Sequence, residues 1–273
     1  MNLKAKNTTD YMNSKDGTKL YYEKSIVDNP KATIIIIHGV CEHQGRYNYV
    51  VDKLNDKNYN VYRFDYRGHG KSDGKKAHID DFNDVIDDTD AMVNIVKADE
   101  KNTKIFILGH SFGGFIAVAY GIKHKGKVDG FIVSSPTASD EAGILELFRK
   151  GTDKNEYVPN NLANLLCSDK KVCKEYMEDV MVHKEMTIGF VQEMIKGTKW
   201  IKRNISKFNY PVVLIHGKND QIISYLDTEY LFEQMASKDK KLKIYQGMQH
   251  ELLNEVIKDR VMEDLTQWID ERV

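Results

Sequence analysis

Apolar runs recur along the chain and alternate with amphipathic stretches. The strand-like runs are Lys19 to Val27 after a Lys-Asp-Gly turn, Thr33 to His38, Asn60 to Asp65, Lys104 to Leu108, Val128 to Ser134, Val212 to His216 and Leu242 to Tyr245. Helical patterns lie between most of them, at Asp81 to Lys97 and Tyr225 to Met235, and a last one runs from Glu251 to about Arg272. A continuous apolar run reads as a strand buried on both faces, and strands alternating with helices predict a mostly parallel sheet covered on both sides. Tyr11 to Met12 and Lys19 to Val27, around "NSKDG", predict an antiparallel hairpin at one edge. From Pro136 to about Asn209 the rhythm stops. No strand is expected there, only helical patterns such as "EAGILELFRK" and "EMTIGFVQEMIKGTKWI". That length exceeds a simple crossover and predicts a helical cap inserted over the carboxyl edge of the sheet. The expected organisation is an α/β core of residues 1–135 and 210–273 with a cap at 136–209.

Composition narrows the partners. A chain of 273 residues removes roughly three-quarters of its unfolded surface from water, enough for one large domain with an insertion. Forty basic residues balance 41 acidic ones, with no extended basic block, so no nucleic-acid partner is expected. The start "MNLKAKNTTDYM" has no apolar signal region and the run "IIIIH" is too short to span a bilayer, so the expected location is the cytoplasm. Cys41, Cys167 and Cys173 are an odd set without a C-x-x-C pair, which predicts reduced thiols rather than a disulfide framework or a zinc ribbon.

The chemistry starts at "KIFILGHSFGGFIAVAY", Lys104 to Tyr120. An apolar strand here runs straight into a helix rich in small residues, with Ser111 at the turn between Gly109 and Gly113. This is a G-x-S-x-G nucleophile elbow: the glycines let the backbone bend sharply, and the hydroxyl stands at the sheet's carboxyl edge beside a helix N-terminus. A serine needs a base, and the base needs a carboxylate, in the chain order Ser, acid, His. Asp220 follows the strand "PVVLIHGKND", and His250, at the end of "KLKIYQGMQH", is the only histidine C-terminal to it. Acyl transfer also needs N–H donors for the oxyanion. Phe112 supplies one, and the turn at His38-Gly39 supplies a second from Val40.

Metal readings are weaker. "HGVCEH" offers His38, Cys41, Glu42 and His43, but crowds them on one turn without a second cluster. "HELLNE" has Asn254 where the zinc helix needs its second histidine. No metal and no cofactor are expected.

The motifs "HGVCEHQGRY", "FDYRGHGKSDG", "GHSFGG", "SSP", "PVVLIHGKND" and "MQHELLNE" run in order from His38 to Glu255. Through them the chain resembles the α/β-hydrolase fold and, within it, the monoacylglycerol lipase and lysophospholipase group. The resemblance implies Ser111 as nucleophile, Asp220 and His250 as the rest of a triad, and Val40 and Phe112 as oxyanion donors. His38, Gly39, Glu42, His43, Gly109, His110 and Gly113 are expected to support these groups. It also implies a cap with an apolar acyl tunnel inside and an outer face that rests on membranes or micelles. The group usually has glycine where this chain has Cys41.

The expected activity is hydrolysis of monoacylglycerols, lysophospholipids and shorter acyl esters through an acyl-enzyme. A ligand receptor with a retained triad and an acyltransferase remain as alternatives. Asp65, Arg67 and His69 are expected to hold the turn after their strand. Glu42 and His43 are expected to order the oxyanion loop rather than touch a head group. Ile144, Leu145, Leu147 and Phe148 are expected to pack inward.

Overall fold

Four consecutive isoleucines, Ile34 to Ile37, are fully buried, and they alternate between two apolar layers. Ile35 and Ile37 face a layer with Phe64, Ile107, Phe115 and Phe190, while Ile34 and Ile36 face one with Phe106, Leu108, Ile132 and Trp268. Period-two alternation explains this: a strand apolar at every position can only be stable inside a sheet covered on both sides. The computed structural model describes residues 5–140 and 153–273.

The sheet comprises β1 (Lys6–Asn13), β2 (Lys19–Ile26), β3 (Ala32–Ile37), β4 (Tyr59–Phe64), β5 (Lys104–His110), β6 (Gly130–Ser134), β9 (Val212–Gly217) and β10 (Lys240–Tyr245). Two further strands, β7 (Tyr157–Pro159) and β8 (Glu185–Thr187), stand apart from it. The main order is β1-β2-β4-β3-β5-β6-β9-β10, with β1 and β2 antiparallel to each other and β2 antiparallel to β4. Every other pairing in this sheet is parallel. The helices that cover it are α1 (Asn48–Asp56), α2 (Phe82–Asp99), α3 (Phe112–Lys123), α4 (Lys170–Glu178), α5 (Ile188–Asn204), α6 (Tyr225–Gln234) and α7 (Lys258–Asp270). None is long and apolar enough to cross a membrane among the described residues.

Three expectations need correction, and helix α1 was not foreseen. The first strand starts at Lys6, because pairing from Lys6↔Ile26 to Asn13↔Lys19 is made by backbone on a mostly exposed ribbon that leaves no apolar pattern. Helix α1 carries only Val50, Val51 and Leu54 inward, too few for a periodic signal. The last helix begins at Lys258, not Glu251, since the intervening backbone donates elsewhere: Glu251 N–H to Leu166 O at 2.7 Å and Val256 N–H to the Glu255 carboxylate at 3.2 Å. Finally, the 136–209 stretch does contain strands. Three-residue β7 pairs antiparallel with β8, and both are too short for alternation to register. "EMTIGFVQEMIKGTKWI" divides at Thr187, which ends β8 and caps α5 by accepting the Phe190 N–H at 3.1 Å. "EAGILELFRK", with Ile144, Leu145, Leu147 and Phe148, lies outside the described residues.

Candidate active site

One residue separates β5 from α3, and it is Ser111, at φ 53° and ψ −118°. A side chain at positive φ costs about 1–3 kcal/mol, so the neighbours must hold it there. They do so by proximity: a Cβ on Gly109 would stand 2.2 Å from Gly113 O, and one on Gly113 2.1 Å from Ile37 O. The Ser111 N–H donates to Ser134 O at 2.9 Å, and the Ser111 carbonyl accepts from Thr137 N–H at 3.1 Å. The elbow is therefore clamped from β6 and from the turn after it. Ser111 Oγ lies 3.5 Å from Thr137 Oγ1. As the first helical residue, Phe112 has no carbonyl of its own helix to bond.

Asp220 and His250 arrive from the loops after β9 and β10. Asp220 Oδ2 accepts His250 Nδ1–H at 2.6 Å, with both side chains buried. Asp220 Oδ1 accepts the backbone N–H groups of Ile222 at 2.8 Å and Ile223 at 3.0 Å. The His250 carbonyl is held by Ser135 Oγ at 2.9 Å. Burial works against charge on Asp220, but the charge of His250 and the hydrogen bonds from His216 and His250 override it and hold the carboxyl far below its usual range. On His250 burial also opposes charge, and the Asp220 carboxylate, aided by Glu251 and Glu42, outweighs it, so the imidazole's affinity for a proton is raised. With Nδ1 bound to Asp220, Nε2 is the nitrogen left for a hydroxyl. Ser111 Oγ and His250 are not hydrogen-bonded to each other, and both line one cavity. Such contacts commonly tighten only when substrate is bound.

The loop after β3 forms the facing wall. Glu42 Oε1 accepts the Gly39 N–H at 2.6 Å and the Tyr47 hydroxyl at 2.8 Å, curling the loop over the elbow. Neither Val40 N–H nor Phe112 N–H donates to a protein acceptor among the described residues. Arg46 bridges Glu42 Oε2 at 2.5 Å and both oxygens of Glu251 at 2.7 and 2.8 Å, and its guanidinium lies 4.7 Å above the Tyr176 ring. Burial disfavours the charge on Glu251, yet Arg46 brings its carboxyl down to about 2. Loops 205 residues apart are thus welded by one buried cation.

The remaining expected residues serve this frame. His38 is buried and stacked on Tyr66 at 4.2 Å, with Nδ1 2.7 Å from Gly39 O, and burial lowers it to about 3. His110 packs 4.8 Å from the His250 ring and is lowered to about 4, first by burial and then by His250. His43 reaches Asp179 at 2.8 Å, outside the cavity lining. Asp65 accepts Gln44 N–H and Lys71 N–H, Arg67 forks onto Asp88, and His69 Nε2 accepts Cys41 N–H at 3.1 Å. The four donors of "HGVCEH" are sent to separate partners. Cys41 has φ 64°, the left-handed region where glycine is at ease. Its side chain is buried, with Sγ 4.0 Å from Glu185 O, and is not among the residues that line the cavity.

Inspection of motifs missed several residues that the structure brings in. His216, Arg46 and Glu251 all sit inside quoted motifs, but their meaning lies in pairings that no local spacing reveals. The same holds for Ser135, inside "SSP", for Thr137 just after it, and for Glu255, which accepts Gln249 N–H at 2.8 Å and Ser168 N–H at 3.0 Å. The rest of the cavity is apolar: Leu162, Leu166, Met186, Val191 and Met194 from the 136–209 stretch, and Ile222 and Ile223 beside Asp220. Its interior space, about 50 Å³, is a slot rather than a chamber.

Residues 28–257 match the family Hydrolase_4, described as serine aminopeptidase, S33. The chain is 30% identical to a monoacylglycerol lipase of Mycolicibacterium smegmatis over 93% of each protein. It is 27% identical to a monoglyceride lipase of Homo sapiens, over 89% of this chain and 84% of that protein. Among solved structures, a soluble variant of monoglyceride lipase from Saccharomyces cerevisiae in complex with a substrate analog superposes with a TM-score of 0.84 at 26% identity, covering 96% of this chain and 94% of that one.

Proposed function

The chain belongs to the Hydrolase_4 family and has the α/β-hydrolase fold, and from that premise we propose that it is a serine ester hydrolase of monoacylglycerols and related monoacyl esters, with Ser111, His250 and Asp220 as its catalytic groups. One observation carries the assignment of roles: a buried carboxylate–imidazole pair at 2.6 Å shares a cavity with a serine held at positive φ on a helix N-terminus. The lipase relatives supply the substrate class.

The reaction follows from the geometry. Ser111 Oγ turns from Thr137 to His250 Nε2, which takes its proton as Oγ attacks the ester carbonyl. Asp220 holds the ring by Nδ1 and stabilises the imidazolium. The N–H groups of Val40 and Phe112 receive the oxyanion, each contributing about 3 kcal/mol by analogy with measured deletions. His250 then protonates the leaving glycerol oxygen, and water releases the fatty acid by the same route. The 136–209 stretch is the cap. Leu162, Leu166, Met186 and Met194 face the acyl chain, while Val180, 96% exposed, and Met177 are its outward contacts with a lipid aggregate.

An aminopeptidase would need a free carboxylate for the substrate ammonium. Glu42 and Glu251 are the carboxylates lining the cavity, and both are already bound by Arg46. Ester hydrolysis is therefore the reading we adopt. The test is Ser111→Ala with a monoacylglycerol and with a fluorophosphonate. Turnover and labelling are both expected to vanish with the fold intact, and a variant that kept most of its rate would overturn the proposal.

A further inference from the structure

His216 is completely buried at the end of β9, outside the three groups assigned to the chemistry. Its Nε2 stands 2.9 Å from Asp220 Oδ2, the same oxygen that accepts the His250 Nδ1–H, and 3.1 Å from Ile223 O. Its Nδ1 stands 2.6 Å from Oγ1 of Thr228, a fully buried residue of α6. A carboxylate and a carbonyl are both acceptors, so Nε2 carries a hydrogen, shared between them. The Thr228 hydroxyl then supplies the donor for Nδ1 and fixes that tautomer. A chain of contacts runs Thr228–His216–Asp220–His250, with a second imidazole behind the acid.

We propose that His216 is a positioning residue for the reaction, which holds a lone pair of Asp220 Oδ2 and so sets both the aim of the carboxylate and the strength of its grip on His250. The inference rests on the triad reading above. With the Ile222 and Ile223 N–H groups on Oδ1 and two imidazoles on Oδ2, the carboxylate has a donor at each available site. Backbone donors on Oδ1 cannot by themselves stop Oδ2 from rotating away from His250 about the axis they define. A rigid donor on Oδ2, itself locked by Thr228, can.

The same arrangement has an electrostatic consequence with a definite sign. Each donor removed from a carboxylate makes it more basic. Without His216, Asp220 pulls harder on the proton at His250 Nδ1, the imidazolium is favoured, and His250 stays protonated to higher pH. Catalysis needs the neutral ring, so the acid limb of kcat/KM moves up. The other groups that act on His250 are Glu251, Glu42 and the His110 ring, with Arg46 behind the two glutamates, and all stay in place when His216 is changed.

The experiment uses the whole chain with p-nitrophenyl butyrate, following kcat and kcat/KM across pH for His216→Leu, His216→Gln and Thr228→Val. For His216→Leu we expect kcat about tenfold lower and the acid limb raised by about one pH unit, the scale of one hydrogen bond to a charged acceptor. His216→Gln keeps an N–H donor and restores the limb. Thr228→Val leaves His216 present with its tautomer unfixed and moves the limb the same way by less, which keeps the test alive if the leucine variant does not fold. A limb unmoved in the variants that fold, whatever the loss of rate, reduces His216 to packing and overturns the inference. Failure of the triad reading shows differently, as wild-type protein that a fluorophosphonate does not label at Ser111.

Discussion

The two walls of the cleft are held by different physics. On the wall formed by the core loops, Asp220 has four donors, Glu42 and Glu251 share Arg46, and the elbow glycines stand where no side chain fits. On the opposite wall, Leu162 and Leu166 from a short turn, Met186 from β8 and Val191 and Met194 from α5 present apolar surface. That second wall is nonetheless tied to the first by directional bonds at its margins. His183 N–H donates to Cys41 O at 2.8 Å, Thr187 N–H to Ala77 O at 3.0 Å, and Leu166 O accepts Glu251 N–H at 2.7 Å. The difference teaches where tolerance lies. A hydrogen-bonded frame loses its function when one member goes, because partners are left buried and unpaired, whereas an apolar wall loses only the area removed.

Asp220→Asn strikes the first wall at its centre and is expected to lower kcat about 10⁴-fold, near 5.5 kcal/mol, by presenting the wrong partner to His250. Steady-state kinetics on a monoacylglycerol checks it, and a loss under tenfold would mean the acid lies elsewhere. In the unaltered protein the raised proton affinity of His250 places the acid limb of kcat/KM above the ordinary histidine value of 6.5. The same raised affinity stabilises the fold below that value, a contribution lost as pH rises through the folded-state pKa.

Arg46→Met comes next, with about 3–5 kcal/mol of stability lost as Glu42 and Glu251 are left buried without their cation. Urea unfolding measures it, and a change under about 1 kcal/mol would show that water replaces the guanidinium. Leu162→Ala, at the partly exposed edge of the apolar wall, is expected to cost about 1–2 kcal/mol of acyl binding. KM for a long-chain substrate then rises about tenfold with kcat nearly unchanged. An equal drop in kcat would join this wall to the frame and erase the contrast. Smallest of all is Cys41→Gly, where relief of positive φ offsets lost burial of the thiol, leaving stability within about 1 kcal/mol. Thermal unfolding decides it.

Much of this was legible in the chain. Strands buried on both faces announce themselves as unbroken apolar runs, so β3, β5 and β9 stand within a few residues of their expected bounds. The elbow was legible because steric exclusion is local: Gly109 and Gly113 are required by atoms that the strand and helix bring there whatever else the fold does. Ser111 was nameable from the elbow, Asp220 from its turn after the strand at Val212 to His216, and His250 as the only histidine C-terminal to Asp220. The exposed ribbon of β1 and the short pair β7–β8 were not legible, since backbone pairing without burial writes no period into the side chains.

Residue types, their order and the alternation of buried faces are properties of the chain alone, and they suffice for the α/β-hydrolase fold and for proposing Ser111 as its nucleophile. Which donors meet on Asp220 Oδ2, and that Arg46 joins Glu42 to a glutamate 205 positions away, are decided only by the packed structure. The reason is the range of the forces. Steric and hydrophobic preferences act on neighbours and leave a local imprint, whereas a buried hydrogen bond is specified by two groups whose separation in sequence carries no information about their distance in space.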